Sequence, residues 1–360
     1  MDHIVLDKRL TDLPSSIWEK IAQIDELKGQ WVGGVKLGPQ VLGRLKRSVL
    51  VTSTGASTRI EGARLSDEDV EKLMRGISIQ QFSDRDKQEV QGYYELLNNV
   101  FDSRDRLRFT EGLIKHFHQE LLKYVDKDTR HRGEYKKQEN QVHMIDEAGQ
   151  SVGILFDTTP AYLTPKEMQE LVEWTRSAID NQSFHPLLII ANFLVQFLQI
   201  HPFQDGNGRL SRILTNLLML QAGYAYMPYA SHEKIIEDNK PEYYLALRQS
   251  QKTFKSSDDT VVPWLEFFLE VTLHQSKIAL ELFSEENVEK LLSPRQLEVW
   301  QYMQGTVEVT PKKLSIELGI PRPTINQVLS RLIELKKIER LGLGRGTRYK
   351  ICQKQTNSLK

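Results

Sequence analysis

Two apolar runs dominate the pattern of the chain. Leu187–Ile200 is almost wholly apolar, Ile213–Leu220 repeats the pattern, and a short polar segment separates them. They read as two helices joined by a polar loop. Upstream, periodic apolar positions predict a helix near 14–27 (Ile17, Ile21, Ile24) after an irregular N-terminal arm, and another from Pro39 (Val41, Leu42, Leu45, Val49, Leu50). Amphipathic helices follow over 84–102 (Val90, Tyr93, Tyr94, Leu97, Val100) and 110–124 (Leu113, Ile114, Phe117, Leu121).

Capping signals sharpen the boundaries. Ser66 before Asp67, Glu68 and Asp69 starts a helix that runs to about Gly76. Thr164-Pro-Lys-Glu167 reads as a second start, with the threonine as cap and proline in the first turn; this helix runs to about Asn181. The helical rhythm breaks over 131–165. Val142–Ile145 and Val152–Phe156, either side of the turn candidate Asp146–Gly149, predict a β-hairpin. The stretch Val51–Gly62 is small and polar, poor material for a core, and reads as a loop with a short helix. A long helix near 262–284 closes this part. From Ser293 the pattern shortens to three helices (from Ser293, over Thr310–Gly319 and over Pro321–Leu335) and two strands around a Gly-rich basic loop within 338–351.

Composition narrows the class. At 360 residues, 39% hydrophobic and 27% charged, the chain is long enough for two cores and ordinary for a soluble protein. No stretch reaches eighteen uninterrupted apolar residues and the start lacks a secretion signal, so a cytoplasmic protein without a membrane span is expected. The single cysteine, Cys352, excludes an internal disulfide and a cysteine-based zinc site. His116, His118, His131 and His143 lack metal-ligand spacing with acids and read as surface or core residues. Net charge is zero but unevenly spread: residues 293–360 hold thirteen Lys/Arg against five Asp/Glu, which makes them +8 and the remainder −8. A basic module on an acidic body implies different partners for the two parts.

The polar segment between the apolar runs carries the chemistry: His201-Pro-Phe-Gln-Asp205-Gly206-Asn207-Gly208-Arg209-Leu210-Ser211-Arg212. A helix opening at Gly206–Gly208 presents unpaired N–H groups and the positive end of its dipole, a site for phosphate. Arg209 and Arg212 share a helical face and add charge-assisted bonds. His201 titrates near neutrality and suits a base. Asp205 is a hard oxygen ligand of the kind magnesium takes.

The segment resembles the signature of the Fic family, His-Pro-Phe-x-Asp/Glu-Gly-Asn-Gly-Arg-x-x-Arg, at every specified position. The resemblance implies a mainly α fold with a β-hairpin flap and transfer of AMP from ATP, with Mg2+ on Asp205, to a Ser, Thr or Tyr hydroxyl of a target protein. His201 would be the base, and residues Gly206, Asn207, Gly208, Arg209, Leu210, Ser211 and Arg212 would hold the nucleotide. Gly208 separates the chain from the phosphoryl-transferring branch, in which lysine replaces that glycine. Ser57-Thr-Arg-Ile-Glu61-Gly62 resembles the family's inhibitory pattern, in which Ser57 and Glu61 face one pocket and Glu61 competes with nucleotide for Arg212. Asp238-Asn-Lys-Pro-Glu-Tyr-Tyr resembles a further family segment, with lysine in place of arginine; Asn239 would then help hold the nucleotide.

The expected organisation is an N-terminal helical region over 1–85, a catalytic core over 86–285 with its flap near 135–158, a linker at 286–292, a module over 293–352 and a tail over 353–360. The module resembles a winged helix-turn-helix, with Arg322, Thr324, Asn326, Gln327 and Arg331 as groove candidates and Arg345 and Arg348 on the wing. Its partner is DNA or, as such modules also serve, another protein. The target docks at the flap; self-modification and a homodimer stay open. Three other readings also stay open: removal of AMP by the same site, a DNA-binding regulator whose Fic body senses nucleotide, and transfer of a different group such as UMP or phosphocholine.

Overall fold

The computed structural model describes residues 3–33, 39–76, 84–125, 130–145, 151–254, 256, 258–282, 292–306, 308–335, 337–342 and 347–352. The chain divides into two compact units, Met1–Gly34 with Leu42–Ala279 and Val35–Val41 with Leu280–Lys360. The first unit thus takes in most of the expected N-terminal region and most of the expected core, without 35–41 and 280–285.

At the centre of the larger unit lies α8 (Pro186–Ile200), apolar but for Asn192, Gln196 and Gln199 and buried along nearly its whole length. A helix this apolar is stable only when surrounded. It packs between α7 (Thr164–Asp180) and α9 (Asn207–Gln221), and α9 is covered by α5 (Asp84–Ser103). The remaining helices are α1 (His3–Lys8), α2 (Ser15–Gly33), α3 (Pro39–Ile60), α4 (Asp67–Met74), α6 (Glu111–Leu121), α10 (His232–Asp238), α11 (Lys240–Gln251) and α12 (Val262–Glu281). One antiparallel hairpin interrupts them: β1 (Gln141–Ile145) pairs with β2 (Ser151–Asp157), with irregular register. The turn expected at 146–149 lies outside the described residues.

Three expectations need correction. The N-terminal arm is not irregular: it forms α1, with Leu6 and Leu10 in the core. It is pinned by Arg9 to Asp259 and Gln196, by Asn192 Nδ2 to the Leu6 carbonyl, and by Trp174 Nε1 to Asp7. Val51–Ile60 is not a loop with a short helix but the second half of α3, and its Ser53, Thr54, Ala56, Ser57 and Thr58 are all fully buried. Small side chains let the helix approach its neighbours closely. Thr164 is not a cap. The chain already turns helically at 160–163, so the Thr164 amide and hydroxyl both donate back to the Pro160 carbonyl and Leu163 takes the cap position.

The smaller unit contains α13 (Pro294–Gln304), α14 (Pro311–Glu317), α15 (Arg322–Glu334) and an antiparallel pair, β3 (Ile338–Leu341) with β4 (Arg348–Ile351). Ser293 caps α13 in a capping box with Gln296, and Thr310 caps α14. Val299, Leu314, Ile325, Leu329, Leu332 and Ile338 form its own core. Arg322, Asn326 and Gln327 are exposed on α15, Thr324 and Arg331 are half-buried, and Arg345 lies outside the described residues. Among the described residues no helix is long and apolar enough to cross a membrane.

Candidate active site

The end of α8 and the start of α9 frame one short loop. His201 closes α8 in a left-handed conformation, φ 51°, ψ 60°, with its N–H on the Phe197 carbonyl. A non-glycine residue there costs on the order of 1 kcal/mol and persists only where its surroundings hold it. They do so through Asn140 Nδ2, which donates to the carbonyls of His201 (3.3 Å) and Phe203 (2.9 Å). Asn207 clamps the other side: the Phe203 N–H donates to its Oδ1 at 2.9 Å, and its Nδ2 donates to the Phe203 carbonyl at 2.8 Å. Phe203 itself is fully buried and stacks on His118, ring centroids 3.9 Å apart.

His118 was legible only as a core or surface histidine. Here it is a strut beneath the loop: its Nδ1 accepts from the Gly133 N–H (2.9 Å), and Nε2, 3.0 Å from the Asp205 carbonyl, donates to it. Those two partners fix one neutral tautomer. Burial pushes its pKa down to about 4. The chain then turns at Gly206, φ 78°, which suits glycine.

The His201 imidazole is neutral as well. Burial, then the Lys136 charge, bring its pKa down to about 4, against the opposing pull of the Leu198 backbone and the Glu61 and Asp205 carboxylates. Its Nδ1 is buried without a hydrogen-bond partner.

Asp205 stands at the rim with both oxygens engaged. Oδ1 accepts from the Gly206 N–H (2.6 Å) and faces Arg209 Nη2 (3.2 Å); Oδ2 accepts from Arg85 Nη2 (2.7 Å). Burial opposes its charge, but Arg209, the Gly206 N–H and Arg85 outweigh that and hold its pKa below the usual carboxylate range. Arg209 is also paired with Glu89 at 2.8 Å, so it belongs to a buried ion-pair network.

Over the start of α9 lies Glu61, which follows the last turn of α3. Its Oε1 accepts from Arg212 Nη2 at 2.7 Å. It also crowds Gly208, where any Cβ would collide with it. Arg212 is almost fully buried, donates through Nε to Ser57 Oγ (2.7 Å) and through Nη2 to the Ser57 carbonyl (3.0 Å), and leaves Nη1 buried without a partner. Although burial opposes it, Glu61 drives the Arg212 pKa up. The open N–H groups of the α9 start, glycine at 208 and an arginine with a spare donor suit an anionic group. A carboxylate of the chain itself sits there.

Of the predicted residues, His201, Asp205, Gly206, Gly208, Arg209, Arg212, Ser57 and Glu61 converge on this loop. The Asn207 side chain is taken up in holding the loop. Leu210 is fully buried in the core, and Ser211 donates to the Gly208 carbonyl at 2.7 Å. Asn239 joins α10 to α11 with its amide bonded back to the Ile235 carbonyl at 2.8 Å. Tyr243 and Tyr244 on α11 have raised pKa values, through burial first and with Glu61 adding to it, while Arg212 pulls both the other way. Lys136, Asn140, His118 and Arg85 contribute to the loop without having been singled out in the sequence.

A loop of this kind, a neutral histidine at one helix end and an anion-binding start at the next, defines a helical protein suited to phosphate chemistry. Residues 108–219 match the family profile described as Fic/DOC family. A probable protein adenylyltransferase of Aquifex aeolicus (strain VF5) is 22% identical over 298 residues, 80% of this chain and 82% of that one. The protein adenylyltransferase Fic of Drosophila mojavensis is 46% identical over 57 residues, which span 16% of this chain and 11% of that protein. Among solved structures, a Fic family protein from Desulfovibrio desulfuricans G20 shares the fold with a TM-score of 0.63 and 24% identity, covering 96% of this chain and 98% of that one. A Fic domain containing signaling protein from Bacteroides thetaiotaomicron gives 0.59 and 22%, over 72% of this chain and 96% of that one.

Proposed function

We propose that this protein transfers AMP from ATP to a hydroxyl side chain of a target protein, and that Glu61 holds it in check. The names of the adenylyltransferase relatives support the reaction. The observation that carries the reading is the Glu61–Arg212 ion pair laid across Gly208, because it places a carboxylate where the nucleotide's phosphates would bind.

With Glu61 displaced, the phosphates lie on the backbone N–H groups at 206–208 and on Arg209 and Arg212. Neutral His201 takes the proton of the target hydroxyl as that oxygen attacks the α-phosphorus; the bond to pyrophosphate breaks, and pyrophosphate leaves with its charge offset by the same donors. General-base help is worth about 10²–10⁴-fold, and the preorganised donors normally supply more. Asp205 is the residue that would hold magnesium: Arg209, the Gly206 N–H and Arg85 keep its carboxylate charged, a hard oxygen donor of the kind this ion takes. When bound it supplies charge neutralisation on the phosphates.

Labelled ATP tests the reading. Incorporation that rises on Glu61→Gly and vanishes on the further change His201→Ala supports it; labelling unaffected by His201→Ala contradicts it.

The smaller unit carries a second reading. Its three helices, its antiparallel pair and the +8 charge of residues 293–360 are consistent with a winged helix that binds DNA through α15. Duplex binding that falls steeply with salt and weakens on Arg322→Ala supports this; failure to bind duplex at 50 mM salt, which is about the low end for such contacts, contradicts it.

A further inference from the structure

Lys136 lies beneath the loop, 4% exposed, and forms no ion pair among the described contacts. A buried lysine is rare unless paired, because an ammonium loses its hydration there. Burial lowers the Lys136 pKa to about 8, so the amine stays largely cationic at neutral pH. All three of its donors are used, each on a neutral oxygen: Asn140 Oδ1 at 2.8 Å, Thr158 Oγ1 at 3.0 Å and the Ile200 carbonyl at 3.1 Å. Its backbone N–H donates to the Pro202 carbonyl at 2.8 Å. The lysine therefore brackets His201, bonding the residue on either side.

The other two acceptors are at the hairpin. Asn140 immediately precedes β1 and Thr158 immediately follows β2. They are joined to each other, with Thr158 Oγ1 2.7 Å from the Asn140 carbonyl, and Asn140 Nδ2 holds the carbonyls of His201 and Phe203. One ammonium thus fastens both hairpin stems to the backbone that fixes the left-handed histidine.

We propose that Lys136 is a positioning residue for transfer: it locks the hairpin stems to the His201 loop, so that a target strand added to the hairpin meets the imidazole at a set distance. Strand addition is the recognition mode that a hairpin standing as its own two-stranded sheet offers. A displacement of about 1 Å between reacting groups can cost on the order of 100-fold. The inference rests on the adenylyl-transfer reading, but its geometric half can be tested without it.

The test uses the full chain with Glu61→Gly, comparing Lys136, Lys136→Met and Lys136→Arg. The readouts are transfer from α-labelled ATP, ATP affinity by calorimetry, and amide hydrogen exchange. With Lys136→Met, transfer should fall roughly 100-fold while ATP affinity holds, and exchange should rise together at the stems and at 201–203. Lys136→Arg, which keeps the charge and several donors, should recover most of the loss. Undiminished transfer in Lys136→Met overturns the proposal. So does a loss matched by lost ATP affinity and thermal stability in both variants, which marks a mere strut. If the parent transfers no AMP, the functional reading fails instead. The exchange arm still decides the coupling: a joint rise supports it, a rise in one segment alone refutes it.

Discussion

Glu61 and Arg212, 151 positions apart in the chain, are joined at 2.7 Å over the first turn of α9. The pair is possible because α3 brings Ser57 and Glu61 to the same side one turn apart, and Ser57 holds two of the arginine's donors. Exchanging Ser57 for Ala removes one acceptor from a buried guanidinium and should loosen the pair. AMP transfer by Ser57→Ala is expected to lie between wild type and Glu61→Gly; a rate at or below wild type would contradict a supporting role for Ser57.

What holds α3 in place is Arg59. It makes a bidentate pair with Glu237 on α10 (2.5 and 3.1 Å) and bonds Asp67 (2.9 Å) and the Leu65 carbonyl (2.8 Å). The guanidinium crosses the helix at Gly55, where a Cβ would meet both Arg59 and Asp67 at 2.5 Å. Arg59→Ala should therefore release Glu61 in part, raising labelled AMP transfer severalfold on the order that losing one partly exposed network implies. In the Glu61→Gly background the same change should add nothing. An equal gain in both backgrounds would show that Arg59 acts elsewhere.

Asp205 is claimed by Arg85 through Oδ2, so a cation arriving there must displace a guanidinium that is half exposed. Arg85→Ala is expected to lower the Mg2+ concentration giving half-maximal transfer by roughly two- to fivefold, the scale of an exposed ion pair of up to about 1 kcal/mol. A titration showing no shift, or a higher requirement, would remove Arg85 from the metal account.

Much of this site was legible in advance because its chemistry is local. The start of α9, the spacing of Arg209 and Arg212 and the position of His201 lie within twelve consecutive residues, so spacing alone describes their geometry. Glu61 was reachable only through a resemblance, since nothing in Val51–Gly62 announces a partner in α9. Its small polar residues look like a loop until their neighbours are known, and tertiary packing reverses the propensity. Lys136, Asn140 and His118 had no signal of their own. Each reaches the loop in part through backbone carbonyls and amides, which every residue carries, so no pattern of side chains marks them. The helix α1 was missed for a related reason: six residues are too few to show a period, and its anchors come from α7, α8 and Asp259.

Three histidines, the buried His118 and His232 and the half-buried His201, are each held down to about 4, His232 by burial and then by Arg212. The unfolded chain binds their protons near pH 6.5, whereas the folded one waits until about 4. Their contribution is thus complete above pH 6.5 and is lost as pH falls towards 4. Each proton adds a slope of about 1.4 kcal/mol per pH unit. Urea unfolding at pH 7, 6 and 5 should show stability falling with pH; a flat profile would mean these imidazoles are not buried neutral.

The most direct test of the account is the intact mass of the full chain after incubation with ATP and Mg2+ and with its His201→Ala form as acceptor. The predicted result is one added AMP on the acceptor with Glu61→Gly, little or none with wild type, and none when the Glu61→Gly enzyme also carries His201→Ala. Equal addition by wild type and Glu61→Gly would contradict the claim that the chain's own carboxylate holds the site closed.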